Sequence, residues 1–178
     1  VSGEADPDTR NSFKEPLLFL TVERDFGEGT RVLLESGVNV ESWSPRGWTA
    51  LMRAAKYGRV SPARVLIVKG ANVNAVSRSG ATPIMIAAER GHKEMVMLLI
   101  EHQAAINTKS KNGTTPLISA SAGGHEDIVE LLLQKGATKN ATIANGSTSL
   151  MVAAERGYLP TVEVLLRYGA NIQARSKR

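Results

Sequence analysis

Glycine recurs along this chain at a fixed interval, and that interval constrains the fold more than any other feature. Members of one glycine series stand 33 residues apart, at Gly47, Gly80, Gly113 and Gly146. A threonine follows two positions after each of them, at Thr49, Thr82, Thr115 and Thr148. A period of this length, kept by several residue types together, indicates a stacked array of repeats. Such a stack offers an extended surface and seldom a closed pocket.

Each 33-residue unit has the signals of two short helices. Gly80 forms a turn, Thr82 has the chemistry of an N-cap, and Pro83 falls on the first helical position, where proline is tolerated. Gly91 ends this helix, and a second helix is predicted from about Lys93. Each helix would have only about eight to ten residues, too few to be stable alone. The units must therefore stack on one another.

The repeated motifs resemble those of the ankyrin-repeat family. The opening motif reads GATPI at 80–84 and GTTPL at 113–117. The middle motif reads AAERGH at 87–92, and the closing motif reads LLLQKGA at 131–137. The resemblance implies an all-α repeat solenoid, an ankyrin-type stack of helix-turn-helix units with β-hairpin-like fingers.

The period divides the chain into one repeat domain with short ends. We predict a flexible leader at 1–10, a single domain at 11–175 and a tail at 176–178. The repeats are placed at about 11–43, 44–76, 77–109, 110–142 and 143–175. The fifth repeat keeps its full apolar pattern, so we expect the array to continue in the parent protein.

Two departures from the repeat pattern carry structural expectations. Gln103 stands where a helix-ending glycine belongs, which costs about 1 kcal/mol if that position is left-handed. In the first repeat, Asp25, Phe26 and Gly27 stand in place of the usual helix end. Terminal repeats are expected to be atypical because one of their faces meets water.

The sequence offers no arrangement typical of catalysis or of a cofactor. It has no cysteine and no phosphate-binding glycine loop, and no apolar run approaches the length of a membrane span. His92 and His125 lie at equivalent positions of two repeats, which favours a structural role. We therefore predict a non-enzymatic protein without cofactor or metal, not inserted in a membrane. The absence of cysteine and of a targeting peptide favours an intracellular, cytoplasmic location, with the nucleus as the alternative.

The positions that the repeat leaves free hold the net charge of the chain. In each unit six positions have no cap, turn or core duty, and the family resemblance assigns them to the concave, partner-binding face. Nine of the 22 basic residues and four of the 17 acidic residues lie at these positions. The rest of the chain therefore carries thirteen basic and thirteen acidic residues. The net charge of +5 is therefore assigned to one face.

Aromatic residues are concentrated at the same free positions. They are Phe13, Trp43, Trp48 and Tyr57, and the last three are predicted to cluster where the first repeat meets the second. Trp, Tyr and Arg are the residues that most often anchor interfaces. The predicted partner-binding residues are Trp43, Arg46, Trp48, Lys56, Tyr57, Arg78, Arg90, Lys109, Lys111 and Arg156.

Two classes of function fit this face. The first is a protein-protein interaction scaffold that binds a partner protein or an acidic peptide along its groove. The alternative is recognition of a polyanion, either nucleic acid or an oligonucleotide-like or phosphate-bearing ligand, by aromatic stacking and basic residues. The charge is modest and no continuous basic run exists, so protein binding is favoured.

Overall fold

Ten α-helices, arranged as five successive pairs, form the described part of the molecule. The computed structural model describes residues 10–11 and 15–176; the leader 1–9, Phe13 and residues 177–178 lie outside them. The helices are α1 Leu17–Glu23, α2 Gly27–Glu35, α3 Ala50–Tyr57, α4 Val60–Val68, α5 Pro83–Glu89, α6 Lys93–Glu101, α7 Pro116–Gly123, α8 Glu126–Gln134, α9 Ser149–Glu155 and α10 Leu159–Arg167. The all-α repeat solenoid predicted from the period is confirmed.

The helices form two layers with the core between them. The first helices of the pairs (α1, α3, α5, α7 and α9) pack side by side in one layer. The second helices pack on them and on one another in the other layer. Small residues at the end of the first helices, such as Ala54, Ala55, Ala87 and Ala88, are fully buried. Their size lets adjacent repeats approach closely, and the core runs through the stack without interruption.

Threonine caps begin the first helices. In three repeats the hydroxyl oxygen accepts a hydrogen bond from the backbone N–H three residues later, at 3.3, 3.3 and 3.4 Å; these residues are Thr49, Thr115 and Thr148. Thr82 also holds the N-cap position, as predicted, but its buried hydroxyl has no hydrogen-bond partner among the described residues. Nothing in the structure explains this difference.

The two departures from the repeat pattern both give a helix end with a left-handed residue that is not glycine. Gln103 has a φ of 65°, so the predicted left-handed helix end is confirmed. In the first repeat, where Asp25, Phe26 and Gly27 stand in place of the usual helix end, Asp25 takes the place of the glycine. Asp25 alone takes the left-handed conformation, with a φ of 57°, while Phe26 precedes α2 and Gly27 is its first residue. The short polar side chain of Asp tolerates this conformation better than most residues do.

The finger of each repeat is a short hairpin that bonds to its neighbour. Within the fingers, Ser77 N–H donates to Ala81 O at 2.9 Å, and equivalent bonds occur in the flanking repeats. Between fingers, three backbone N–H groups donate to the preceding finger at 3.4, 3.1 and 2.8 Å; they belong to Arg78, Lys111 and Ala144. The fingers are therefore held in one row, which fixes the spacing of the residues at their tips.

Side chains also connect each repeat to the next. The Nε2 atom of His92 donates to Lys56 O at 3.1 Å, and that of His125 donates to Glu89 O at 3.0 Å. Both rings thus have the structural role expected of them. A side-chain oxygen also accepts a bond of 2.7–2.9 Å from the backbone of the next repeat in four places, at Glu41, Asn74, Asn107 and Asn140.

The fifth repeat exposes apolar surface. Leu159, Leu166 and Ile172 are 64%, 44% and 75% exposed. A side chain at Gly124 would meet the ring of Tyr158 in the following repeat, whereas one at Gly157 would meet nothing within 4 Å. The continuation of the array beyond this surface stays a prediction.

Candidate partner-binding groove

Three open cavities lie in a row between the fingers and the first helices. The N-terminal cavity, of about 420 Å³, lies at the first two repeats and includes Glu15 and Trp48 in its lining. The middle cavity, of about 380 Å³, lies at the third and fourth repeats. The C-terminal cavity, of about 520 Å³, extends from Glu89 of the third repeat to the fifth repeat. We call this row of cavities the groove.

A lysine in the lining of the N-terminal cavity contacts two aromatic rings, Trp48 within the lining and Tyr57 outside it. Trp48 is half-buried against the core, and Lys56 Nζ lies 5.9 Å from the centre of its ring. The same Nζ lies 4.9 Å from the ring of Tyr57. An ammonium group at these distances is attracted by the aromatic ring faces. The structure therefore brings together Trp48, Lys56 and Tyr57, which we call the anchor.

Trp43 takes a different place from the one predicted for it. Its backbone forms a β-bridge with Thr49, and its carbonyl oxygen accepts a bond of 2.8 Å from Arg10 Nη1. The indole is 54% exposed. Trp43 lines none of the three groove cavities, and its ring has no cation–π contact with a described residue. The predicted cluster of three aromatic residues thus has two members in the anchor, and Trp43 stands apart.

Arg53 lines the N-terminal cavity but is not among the partner-binding residues predicted from the sequence. Its guanidinium forms ion pairs with Glu15 and, at 3.0 Å, with Glu23, and lies 5.0 Å from the ring of Phe19. Only 13% of its side chain is exposed. The signal was its position in the repeat, which holds Arg53, Ile86, Ser119 and Val152 in turn. The residue type at this position differs from repeat to repeat, whereas the positions on either side keep small or apolar residues. Such variation is typical of positions that contact a ligand.

Most of the predicted basic residues are exposed and unpaired. Arg46, Arg78, Arg90, Lys109 and Lys111 form no ion pair with any described residue. Arg46 lines the N-terminal cavity and Lys111 the middle one. Arg78 lies beside Gly47 at the row of finger tips. Arg90 and Lys109 are exposed but line none of the three cavities.

The C-terminal cavity differs in character from the N-terminal one. Ile118 and Val152 are buried in it and pack with the partly buried Ile143. Glu89 and Glu155 are exposed in its lining. The predicted Arg156 also lines it and donates through Nη1 to the carbonyl oxygen of Ala122 at 2.6 Å. This cavity therefore combines apolar surface with carboxylates.

The groove has the features of a binding surface. Among residues 10–11 and 15–176, no group of three or more His, Asp or Glu is placed to hold a metal ion. Within the same residues, no helix has the length and apolar character needed to cross a membrane. What the groove does present is unpaired charge, half-buried aromatic surface and apolar hollows. These can make contacts with an extended ligand.

Comparisons with known proteins agree with the architecture. A family model described as ankyrin repeats, in three copies, matches residues 1–77 and 64–143. A model of the single ankyrin repeat matches residues 145–177. No curated protein matches the sequence significantly. Since the family models span nearly the whole chain and the structure has the helix pairs and fingers of their repeats, the chain belongs to the ankyrin-repeat family, whose repeats generally bind other proteins.

Proposed function

We propose that the groove binds an acidic segment of a partner protein, with the anchor as its main apolar contact. The observation that carries this proposal is the N-terminal cavity. There Arg46 and Lys56 have no ion-paired carboxylate, and a half-buried indole stands beside them. The proposal assigns the segment's carboxylates to these cations and an apolar side chain to the face of Trp48.

The physical chemistry of the anchor favours a protein ligand. A half-buried tryptophan already has part of its surface withdrawn from water and moves little, so a ligand loses little entropy in covering it. Tryptophan, tyrosine and arginine supply most of the binding energy at typical interfaces. Unpaired cations near such a site attract an acidic partner and raise its association rate.

Binding of a polyanion is the alternative use of the same groove. Arg46, Lys56 and the ring of Trp48 would suit a phosphate backbone and a stacked base. Farther along the groove, however, Glu89 of the third repeat and Glu155 of the fifth are exposed and form no ion pair with a described residue. A polyanion lying along the groove would be repelled there. The protein ligand therefore remains the better proposal.

Selection from a random library of 12-residue displayed peptides tests the proposal. We expect enrichment of peptides that combine Asp or Glu with an apolar residue. Their affinity should fall in a variant carrying Arg46→Glu and Lys56→Glu. The matched control carries Lys135→Glu and Lys139→Glu, at exposed positions that line none of the groove cavities.

The polyanion is tested in parallel with a single-stranded oligonucleotide and with heparin. A polyanion ligand should lose affinity steeply as salt concentration rises, because bound counterions are released. Failure of the library to yield any binder, together with tight and salt-sensitive binding of the oligonucleotide, would replace the proposal by the alternative.

A further inference from the structure

The first and the fifth repeat of the described stack each leave one face uncovered. The first repeat contacts only a following repeat and the fifth only a preceding one, so their equivalent residues show which side chains a neighbour buries. Positions that are buried in the fifth repeat but exposed in the first belong to the face that meets a preceding repeat, which we call the leading face. Positions with the opposite behaviour belong to the face that meets a following repeat, which we call the trailing face.

The leading face of the first repeat is apolar and exposed. Leu20 is 44% exposed, whereas Val152, its equivalent in the fifth repeat, is 9% exposed. Val32 is 52% exposed, whereas its equivalent Val164 is 6% exposed. Inside the stack the preceding repeat buries these positions. The first repeat therefore presents one half of a junction between repeats.

The trailing face of the fifth repeat is also apolar and exposed. Ala154 is exposed in this repeat. The equivalent position is fully buried in the four preceding repeats, where it holds Val22, Ala55, Ala88 and Ser121. Leu166 and Ile172 are 44% and 75% exposed. Their equivalents in the first repeat, Leu34 and Val40, are partly buried against the core, so a following repeat covers these positions.

A contact between a ring and a glycine joins successive repeats and is left open at both ends of the stack. In three junctions, a Cβ added to the glycine after the first helix would meet the ring that precedes the second helix of the next repeat; the pairs are Gly58–His92, Gly91–His125 and Gly124–Tyr158. In the fifth repeat, a Cβ added to the equivalent Gly157 would meet nothing within 4 Å. In the first repeat the ring position holds Phe26, which lies against Gly29 and is 55% exposed. The two ends thus carry the two halves of this contact.

A hydrogen bond between fingers is open at the two ends in the same way. Inside the stack a side-chain oxygen of one finger accepts from a backbone N–H of the next repeat, as Asn140 Oδ1 does from Asn171 at 2.9 Å. Gln173 holds the accepting position in the fifth repeat and is exposed. The donating position in the first repeat belongs to Asn39, whose N–H has no partner among the described residues. A glutamine amide oxygen can accept this bond as an asparagine oxygen does.

From these matching surfaces we infer that the trailing face of one copy of this chain binds the leading face of a second copy. Phe26 of the second copy lies over Gly157, in the arrangement that Tyr158 has within the chain. The apolar side chains of the two faces remove one another from water, which drives the association. One such contact covers an exposed apolar face on each of the two copies, and it continues the junction that already joins the repeats.

The contact joins two unlike surfaces and therefore does not close on itself. A contact of this kind forms rows of copies unless its rotation returns to the starting copy. Successive copies would repeat the anchor at a regular spacing, and a partner with several acidic segments would bind such a row more tightly than a single copy. The inference goes beyond the proposed function and does not rest on it.

Sedimentation velocity of the 178-residue chain over a range of concentrations tests the inference. The weight-average mass should rise with concentration without levelling off at the dimer, because each added copy leaves a trailing face open. A trailing-face variant carries Leu166→Glu and Ile172→Glu, and a leading-face variant carries Phe26→Glu and Val32→Glu. Each should stay monomeric, because the contact would bury carboxylates without a partner.

A mixture of these two variants tests the direction of the contact. Each variant keeps the face that the other has lost, so one trailing face and one leading face remain to bind. Size-exclusion chromatography with light scattering should show a complex of twice the monomer mass in the equimolar mixture, and nothing larger.

A matched control makes the same change at apolar residues away from the two faces. Val68→Glu and Met97→Glu alter residues of α4 and α6 that are 80% and 44% exposed, and this variant should associate as the wild type does. Circular dichroism and a melting curve of each variant establish that the fold is kept.

Four results would each overturn the inference. The wild type could stay monomeric up to about 1 mM, a concentration at which even weak specific contacts form. Either face variant could still associate, which would mean that like faces pair. The mixture could form no complex of two copies, or the control could lose association as the face variants do. Binding of selected peptides to the groove is measured separately, so each of these results leaves the proposed function standing.

Discussion

The junction between the first two repeats and the junction between the third and fourth use the same helical frame in different ways. Both bury apolar surface between their first helices, with Leu18 and Leu51 at one and Ile84 and Leu117 at the other. At the groove side of the first junction, however, ion pairs of Arg53 join the repeats. The later junction has small polar and apolar residues there. In the first junction the groups that hold the repeats together, Glu15 and Arg53, also line the N-terminal cavity, so the proposed function couples stability to binding there.

The largest effect is expected from emptying the core of the later junction. Leu117→Ala in α7 should lower the free energy of unfolding by about 2–5 kcal/mol, because it removes a side chain that is 1% exposed and leaves a cavity. Urea denaturation measures the loss. Met97→Ala on α6, where the side chain is 44% exposed, is the control and should cost far less. If both variants lost the same free energy of unfolding, burial of apolar side chains would not be the main source of stability at this junction.

Removing the charge of Arg53 tests the first junction. Arg53→Met keeps an apolar stem near Phe19 but leaves Glu15 and Glu23 unpaired. Since these carboxylates are 28% and 32% exposed, water compensates part of the loss, and we expect about 1–2 kcal/mol. Faster amide exchange in α1, by mass spectrometry, would locate the effect in the first repeat.

The control for Arg53 is an ion pair that does not join repeats. Arg31→Met removes exposed pairs within α2, to Glu28 and, at 2.8 Å, to Glu35. No measurable change in stability is expected. If Arg53→Met were equally silent, the polar contacts of the first junction would be incidental and its distinction from the later junction would disappear.

Trp48→Ala separates the binding role of the first junction from its structural role. We expect peptides selected on the wild type to lose about 2 kcal/mol of binding free energy, roughly 30-fold in Kd, as at other interface hot spots. Isothermal titration calorimetry measures this. Trp43→Ala, which removes an exposed indole that lines none of the groove cavities, is the matched control. Unchanged binding with a lowered melting temperature would show that the indole serves the fold alone.

The regular part of the fold could be predicted because the period ties each residue to a local duty. The N-cap position of Thr82, the structural role of His125 and the left-handed Gln103 all follow from one repeat read against its neighbours. The helix end of the first repeat could not be read in this way. Its glycine is replaced by Asp25, and the sequence does not show which of the residues 25–27 takes the left-handed conformation.

The groove could be predicted only in outline. Arg53 lies at a position that was not counted among the free ones, and its partner Glu15 is 38 residues earlier, beyond any local pattern. The repeat pattern also gives only the sum of the charges at the free positions, a net charge of +5 on one face. Only the fold shows which of these charges line a cavity, as Arg46 and Lys111 do, and which do not, as Arg90.

The smallest expected effect concerns the backbone at the helix ends, where the atypical repeats depart from glycine. Gln103→Gly should raise the free energy of unfolding by about 1 kcal/mol, because glycine takes a φ of 65° without strain. Asp25→Gly should gain less, since Asp tolerates this conformation better than Gln.

Gly136 supplies the reciprocal test, since it holds the equivalent position in the next repeat with a φ of 88° and an added Cβ would meet nothing within 4 Å. Gly136→Gln should therefore cost about what Gln103→Gly gains, through backbone conformation alone. Urea denaturation of both variants gives the comparison. A large loss in one without a matching gain in the other would mean that the contacts of the side chain, and not the left-handed backbone, decide the stability of these helix ends.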